Sequence, residues 1–327
     1  MTRTRPCLGD LGEVSARLTP WLAAKLQRPD LEIAEIRPLT GGLVNTIHLV
    51  TVMPKGGEEQ RRYVLRWDPI TGPQAPYDMA NQFETFERLR RTAIPVPEPL
   101  WLETGEDILG RSFWLSEFLQ ADPVARILDL TDAPSRARMA AYLAMLGRIH
   151  STDWRAVGLE RARPTITAGA LDRLVAEEEP YLVFVPEGDR ATFSRAKDYL
   201  ASQRPSDFEL SLTHGDCSVT NYLFRGSEII GVVDWDLAII TDRSRDVAFY
   251  CSLIYRFNPD EPASEKDKKR SRFVADYERQ CAITLTNLPY WEVYTNYHNA
   301  LSWLRPGWTT SINGYAGYTQ RLAALVS

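Results

Sequence analysis

His214-Gly215-Asp216-Cys217-Ser218-Val219-Thr220-Asn221, with Asp234-Trp235-Asp236 beginning thirteen residues beyond Asn221, is the stretch on which the reading of this chain turns. It reads H-G-D-x4-N, a hairpin, and then a second Asp at the end of an apolar run. Glu209 to Thr213 and Asn221 to Phe224 are short strand candidates, Arg225-Gly226-Ser227 is a turn, and the β-branched run Ile229 to Val233 is a buried strand. Asp216 and Asp234 therefore fall at strand ends, where side chains can converge. One carboxylate beside a hydroxyl nucleophile, with an Asn and another carboxylate on Mg²⁺, are the parts that phosphoryl transfer asks for.

Composition sets the outer limits. At 327 residues the chain exceeds what one core usually covers, so two lobes are expected. Its hydrophobic fraction of 44% and charged fraction of 25% are ordinary for a globular protein. A net charge of −5 argues against a nucleic-acid partner. Met1 to Asp10 lacks the apolar segment of a signal peptide, and no run of 18 apolar residues is present to cross a membrane. The 4 cysteines are scattered without a C-x-x-C, so a reduced, cytoplasmic setting without structural zinc is expected. Cys217 reads as a small filler residue, with a functional thiol as the alternative.

Upstream, residues 31–118 are strand-rich. Leu31 to Pro38, Val44 to Met53, Arg62 to Trp67, Leu100 to Leu102 and Phe113 to Phe118 read as strands, punctuated by Thr40-Gly41-Gly42 and Pro54-Lys55-Gly56-Gly57. Between them Tyr77 to Arg91 has helical spacing, and the prolines at 95, 97 and 99 end it. From Asp122 onward the pattern is helical. Ser135 to His150 is an amphipathic helix with Ser135 as its N-cap, and further helices are predicted over 166–179, 191–203, 244–256, 264–284, 290–304 and 311–325.

These motifs resemble the aminoglycoside phosphotransferase, or choline-kinase-like, superfamily, a branch of the protein-kinase fold. The resemblance covers nearly the whole chain. It rests on H-G-D-x4-N at 214–221, V-V-D-W-D-L-A at 232–238, T-D-R-S-R-D-V-A at 241–248, L-T-G-G-L-V-N-T at 39–46, Y-V-L-R-W-D-P at 63–69, I-P-V-P-E-P-L at 94–100 and L-G-R-I-H-S-T-D-W at 146–154. Within it, the chain is similar to the bacterial branch related to kinase domains fused to acyl-CoA dehydrogenases. The resemblance implies an α+β, bilobal, protein-kinase-like fold. Its N-lobe, residues 1–119, would be a small antiparallel sheet ending in a hinge, and its C-lobe, residues 120–327, larger and mostly helical.

It also implies roles, with ATP and Mg²⁺ as cofactors. Asp216 would orient the acceptor hydroxyl and take its proton late in a loose transition state. Asn221 and Asp234 would hold Mg²⁺. His214 would brace the loop, Asp242 and Asp246 would pin it, and Asp236 either assists Asp234 or is structural. Gly41 and Gly42 match a phosphate-covering turn. Arg66 stands where most kinases carry a Lys, and a guanidinium can grip phosphates bidentately. Its usual Glu partner is displaced: Gln82 falls at the expected helix position and Glu84 two residues on, so either could serve. Glu117 to Leu119 match the hinge, where Glu117 and Leu119 would meet adenine through the backbone, with an apolar residue near Trp114 or Leu115 lining its pocket; an edge strand packing its core is the alternative.

The expected activity is transfer of the γ-phosphate of ATP to a hydroxyl of a small molecule. Residues 251–327 hold nine Lys and Arg against seven Asp and Glu, and many aromatics. That suits an apolar, aromatic or acyl-CoA-like alcohol better than a polycationic aminoglycoside. The run Lys266 to Arg272 is either a solvated helix face or a contact for an acceptor's phosphate. An aminoglycoside kinase and a catalytically silent nucleotide-binding module are the alternatives. A protein kinase is disfavoured by the missing A-P-E signature and by H-G-D in place of H-R-D.

Overall fold

The apolar residues Val14, Leu18 and Leu22 recur every fourth position, and they form the buried stripe of a helix, α1 (Leu11–Leu26). Its N-terminus is capped by Asp10, whose carboxylate accepts the Glu13 N–H at 3.0 Å. The sequence reading, whose strand-rich region begins at residue 31, assigns no element here; α1 forms despite Pro20, a residue that removes a backbone donor and normally breaks a helix interior. This computed structural model describes residues 10–39, 47–57, 59–68, 78–126, 128, 130–305 and 313–327. Gly41 and Gly42 lie outside the described residues. The chain divides into two units, Met1–Glu87 with Pro97–Gln120, and Arg88–Val96 with Ala121–Ser327.

In the first unit, strands β1 (Leu31–Pro38), β2 (Ile47–Pro54), β3 (Arg61–Trp67), β4 (Pro99–Glu103) and β5 (Phe113–Glu117) form one antiparallel sheet in the order β1-β2-β3-β5-β4. Alternation along each strand decides which side chains share a face. Leu65, Trp67, Phe113 and Leu115 point into a core shared with α1. Arg66 and Trp114, direct partners across β3 and β5, point the other way. There Trp114 meets Phe83 and Phe86 of helix α2 (Met79–Leu89), with ring centroids 6.0 and 5.0 Å apart. Fully burying side chains such as Leu18, Leu22 and Leu65 is worth about 1.5–3 kcal/mol each, so α1 is integral to the sheet's inner face.

The second unit is mostly helical. Helix α3 (Ala133–His150) starts earlier than its apolar spacing suggests. Its N-cap is Asp132, which accepts the Ser135 N–H at 2.7 Å, so Ser135 is an internal residue of the first turn. Pro134 fits there because first-turn N–H groups have no helical partner. The helix expected over 166–179 is fragmented into α4 (Leu171–Ala176) between single 3₁₀ turns, with Pro180 opening the second. Helices α5 (Arg190–Ser202), α6 (Ser244–Phe257), α7 (Ala263–Cys281), α8 (Leu288–Ser302) and α9 (Asn313–Leu325) follow the predicted positions closely. Two small antiparallel pairs sit among them. Strand β6 (Leu210–Thr213) pairs with β9 (Ile239–Asp242), which the sequence reading did not single out, and β7 (Tyr222–Arg225) pairs with β8 (Glu228–Val232) as a hairpin.

Candidate active site

The H-G-D turn follows β6 and is held by a buried carboxylate from elsewhere in the chain. Asp246, on the first turn of α6 and fully buried, accepts the His214 N–H at 2.7 Å and the Gly215 N–H at 2.8 Å. It also takes a bond from His150 Nε2 at 3.0 Å, while His150 Nδ1 meets the Tyr277 hydroxyl at 2.5 Å. Burial alone would raise the Asp246 pKa. The His150 hydrogen bond and nearby positive charge, Arg245 among it, outweigh that and hold it below the usual carboxylate value. A charge in this position is sustained only because donors surround it.

Gly215 is required by geometry. Its φ is +86°, and a Cβ there would lie 2.2 Å from the Leu237 carbonyl oxygen and 2.8 Å from Arg245 Nη1. That close approach excludes any side chain and accounts for Gly where protein kinases carry Arg. Arg245 is itself fixed, donating to Leu237 O at 3.1 Å and to Thr213 Oγ1 at 3.2 Å.

His214 joins the two motifs. Its Nδ1 accepts the Asp216 N–H at 3.3 Å, so Nε2 carries the proton and donates to Val233 O at 2.9 Å. Burial lowers its pKa, which keeps the ring in this neutral tautomer. The expectation that His214 braces the loop is met.

Asn221 tightens the same corner. Its side-chain Nδ2 donates to the Asp216 backbone carbonyl at 2.9 Å, and its backbone carbonyl oxygen accepts the Val233 N–H at 2.9 Å. With Nδ2 so engaged, Oδ1 is the end of the side chain left to serve a ligand. Asp234 follows Val233 and adopts φ 67°, ψ 55°, a left-handed conformation that Asp tolerates better than most residues and that turns the chain sharply at the end of β8. Asp216, Asn221 and Asp234 are all half-buried. The Asp216 carboxylate is oriented by Ser218, whose hydroxyl donates to Oδ1 at 2.7 Å. That bond was not foreseen, although a Ser two residues after an Asp is a local signal for it.

Other expectations resolve individually. Cys217 is fully buried, donates from Sγ to Asp246 O at 3.0 Å, and burial pushes its thiol well up. It is a packed filler, since a reactive cysteine needs an accessible thiolate. Asp242 accepts the Ser244 N–H at the start of α6 (2.8 Å) and a bond from Asn287 (2.8 Å), so the loop-pinning bonds come from Asp246. Most of the aromatic residues after 251 are core: Tyr277, Trp291 and Tyr297 are fully buried, which removes them as a surface for an acceptor. Three members of the basic run on α7 are paired within the chain. Lys268 pairs with Glu265 at 2.6 Å, Lys269 with Glu261 at 2.7 Å, and Arg270 with Glu292 at 2.5 Å.

In the first unit, Gln82 accepts from Trp114 Nε1 at 3.4 Å, and Arg66, buried, lies with Cζ 5.8 Å from the Trp114 ring centroid. Glu84 is half-buried on the same helix. Glu117 accepts the Glu98 N–H on its side chain at 2.9 Å, while Leu115 belongs to the α1 core and not to a pocket lining. Leu119 follows two residues beyond β5. Among the described residues no three His, Cys, Asp or Glu side chains gather as a metal cage. An Asn and an Asp supplying two hard oxygens still fit Mg²⁺, which keeps most of its waters.

A family profile described as a phosphotransferase enzyme family, APH, matches residues 35–282. The chain belongs to this family. Among proteins similar to this family member, acyl-CoA dehydrogenase IBR3 of Arabidopsis thaliana, named as probable, is 29% identical over 215 residues, covering 60% of this chain and 25% of that protein. Homoserine kinase of Zymomonas mobilis is 26% identical over 226 residues, covering 66% of this chain and 63% of the kinase. The chain thus matches about a quarter of the length of the dehydrogenase-named relative. A provisionally named aminoglycoside phosphotransferase of Ralstonia eutropha JMP134 shares the fold at a TM-score of 0.70 and 15% identity, with 95% of this chain and 97% of that one covered. A thermostable mutant of aminoglycoside phosphotransferase APH(4)-Ia, in ternary complex with ADP and hygromycin B, gives a TM-score of 0.64 at 17% identity, with 94% and 97% covered. The fold is therefore kinase-like, with a small antiparallel sheet and a larger helical part. No helix among the described residues is long and apolar enough to cross a membrane.

Proposed function

We propose that this phosphotransferase-family chain is an ATP-dependent kinase of a small-molecule alcohol. The observation that carries the reading is the His214–Asn221–Val233 bonding, which draws Asp216, Asn221 and Asp234 into one corner of the second unit. In this reading the acceptor hydroxyl bonds to the γ-phosphorus as the bond to the β,γ-bridging oxygen breaks. ADP leaves, and the hydroxyl proton passes to the Asp216 carboxylate and on to solvent. Ser218 holds that carboxylate in one rotamer, so its second oxygen is presented to the hydroxyl. Asn221 Oδ1 and Asp234 would hold Mg²⁺, which when bound offsets the charge of the phosphates. Arg66 is assigned to the phosphates, with Glu84 as the candidate partner because Gln82 is engaged by Trp114. Gly41 and Gly42 are assigned to the phosphate-covering turn, and the backbone of Glu117 and Leu119 to adenine. The acceptor is an apolar, aromatic or acyl-CoA-like alcohol. The absence of acidic excess after residue 251 and the dehydrogenase-named relatives support that choice over a polycationic sugar.

The test is Asp216→Asn. Alcohol-dependent ADP release should fall by about three orders of magnitude, within the range of losing a general base and its orientation, while ATP affinity stays within about two-fold. Undiminished turnover in the variant would remove Asp216 from this role. ADP release that needs no alcohol would point to a hydrolase.

A further inference from the structure

Among the described residues, two arginines of the second unit have no carboxylate of the kind that pairs their neighbours. Around them Arg270, Arg272 and Arg321 all reach Asp or Glu within 4 Å. Arg256, half-buried at the end of α6, instead lies among aromatic rings, with Cζ 4.7 Å from the Phe257 and Trp303 centroids, and donates to the Tyr318 hydroxyl at 3.1 Å. Arg126, exposed, lies 5.3 Å from the other partner of this group, the Phe257 ring. Neither has an acidic partner among the described residues. A half-buried guanidinium without a counter-charge is costly, and its planar donors match a carboxylate or phosphate.

Beside this pair is a cavity of about 650 Å³ between α3, α6 and α7. Leu128, Met139, Leu143, Ile254 and Phe273 give it an apolar floor, and Arg126 and Phe257 also line it. Of the other charged residues there, Lys269 pairs with Glu261, and Asp276 is shared between Arg272 at 3.7 Å and Arg279 at 2.8 Å.

We propose that Arg126 and Arg256 bind the acidic group of an amphipathic anion whose apolar body lies in the α3–α6–α7 cavity. An apolar chamber with one uncompensated cationic edge selects amphipathic anions and rejects amines, because a cation would meet two guanidiniums.

The test is calorimetric, on the intact chain without ATP, using 8-hydroxyoctanoate, 8-hydroxyoctyl phosphate, methyl 8-hydroxyoctanoate and 8-amino-1-octanol. At least one of the two anions should bind about 10- to 100-fold more tightly than the ester and the amine, the range of a charge-assisted contact. Which anion binds better tells a carboxylate site from a phosphate site. Arg126→Met, an exposed change that leaves the core intact, should reduce that advantage to within about three-fold. Arg256→Met should do the same with a retained thermal transition, and Arg256→Lys should restore part of it. Equal binding of ester, amine and anions, or an anion preference that survives Arg126→Met and Arg256→Met, overturns the proposal. The two readings fail separately. Alcohol-dependent ADP release without anion preference removes only this subsite, whereas anion binding without ADP release leaves the subsite and removes the kinase assignment.

Discussion

Replacing Gly215 by Ala should damage both folding and turnover, and the structure sets the scale. At φ +86° an L-residue costs about 1–2 kcal/mol in backbone energy. The new Cβ would also stand 2.2 Å from the Leu237 oxygen and 2.7 Å from its carbonyl carbon. Relief requires a relative movement of about 1 Å, to which neither side yields easily. On one side Gly215 N is fixed to Asp246, and on the other Leu237 O is held by Arg245. Leu237 lies three residues past Asp234 and Gly215 one before Asp216, so the shift separates the two carboxylates. A misplacement of about 1 Å costs about 10²-fold in rate. Urea unfolding should show a loss of about 1–2 kcal/mol, and alcohol-dependent ADP release should fall about 100-fold. A variant within about 0.5 kcal/mol of the parent and within about two-fold of its turnover would show that the close approach does not position the loop.

Ser218→Ala removes the bond that orients Asp216, so kcat should fall by about 10- to 100-fold, the worth of one hydrogen bond to a charged group, with an unchanged thermal transition. No change in kcat would mean Asp216 is held by other contacts. Asp246→Asn must aim an NH₂ at one of the donors it now accepts, and should destabilise the chain by about 3–5 kcal/mol; a denaturation midpoint equal to that of the parent would refute the pinning role. Stability should also fall as pH drops below 6.5. Burial depresses the folded pKa of His214 and His48 from that value, so below it the unfolded chain binds more protons than the folded one. Their contribution is complete above 6.5 and is lost on the way down to the folded pKa. Asp246, also depressed, loses its contribution only below the ordinary carboxylate value of 3.8. A urea midpoint that is flat from pH 7 to pH 5 contradicts the histidine argument.

The sheet and most helices were legible because their signals are local. Leu31 to Pro38 alternates, α6 and α7 carry helical spacing, and β7–β8 is marked by its Gly226 turn. Helix α1 carries the same kind of signal in Val14, Leu18 and Leu22, which the sequence reading leaves unassigned, and Pro20 works against that spacing. The candidate helix over 166–179 broke because its apolar spacing competes with Pro180. Strand β9 offers only four residues, too few for alternation to distinguish it from a loop.

By itself the sequence determined the family, the kinase-like fold and the identity of the three side chains at the candidate centre. H-G-D-x4-N and the following Asp lie within 21 consecutive residues, so short-range geometry constrains them. Tertiary structure alone decided what holds them and what stands beside them. Asp246 reaches back 32 residues to fix the turn, His150 reaches Asp246 from α3 and is itself met by Tyr277 of α7, and the aromatic residues after 251 divide into core and a few that surround Arg256. Burial and charge compensation depend on which elements pack together, and one-dimensional spacing does not encode that beyond its own helix or strand.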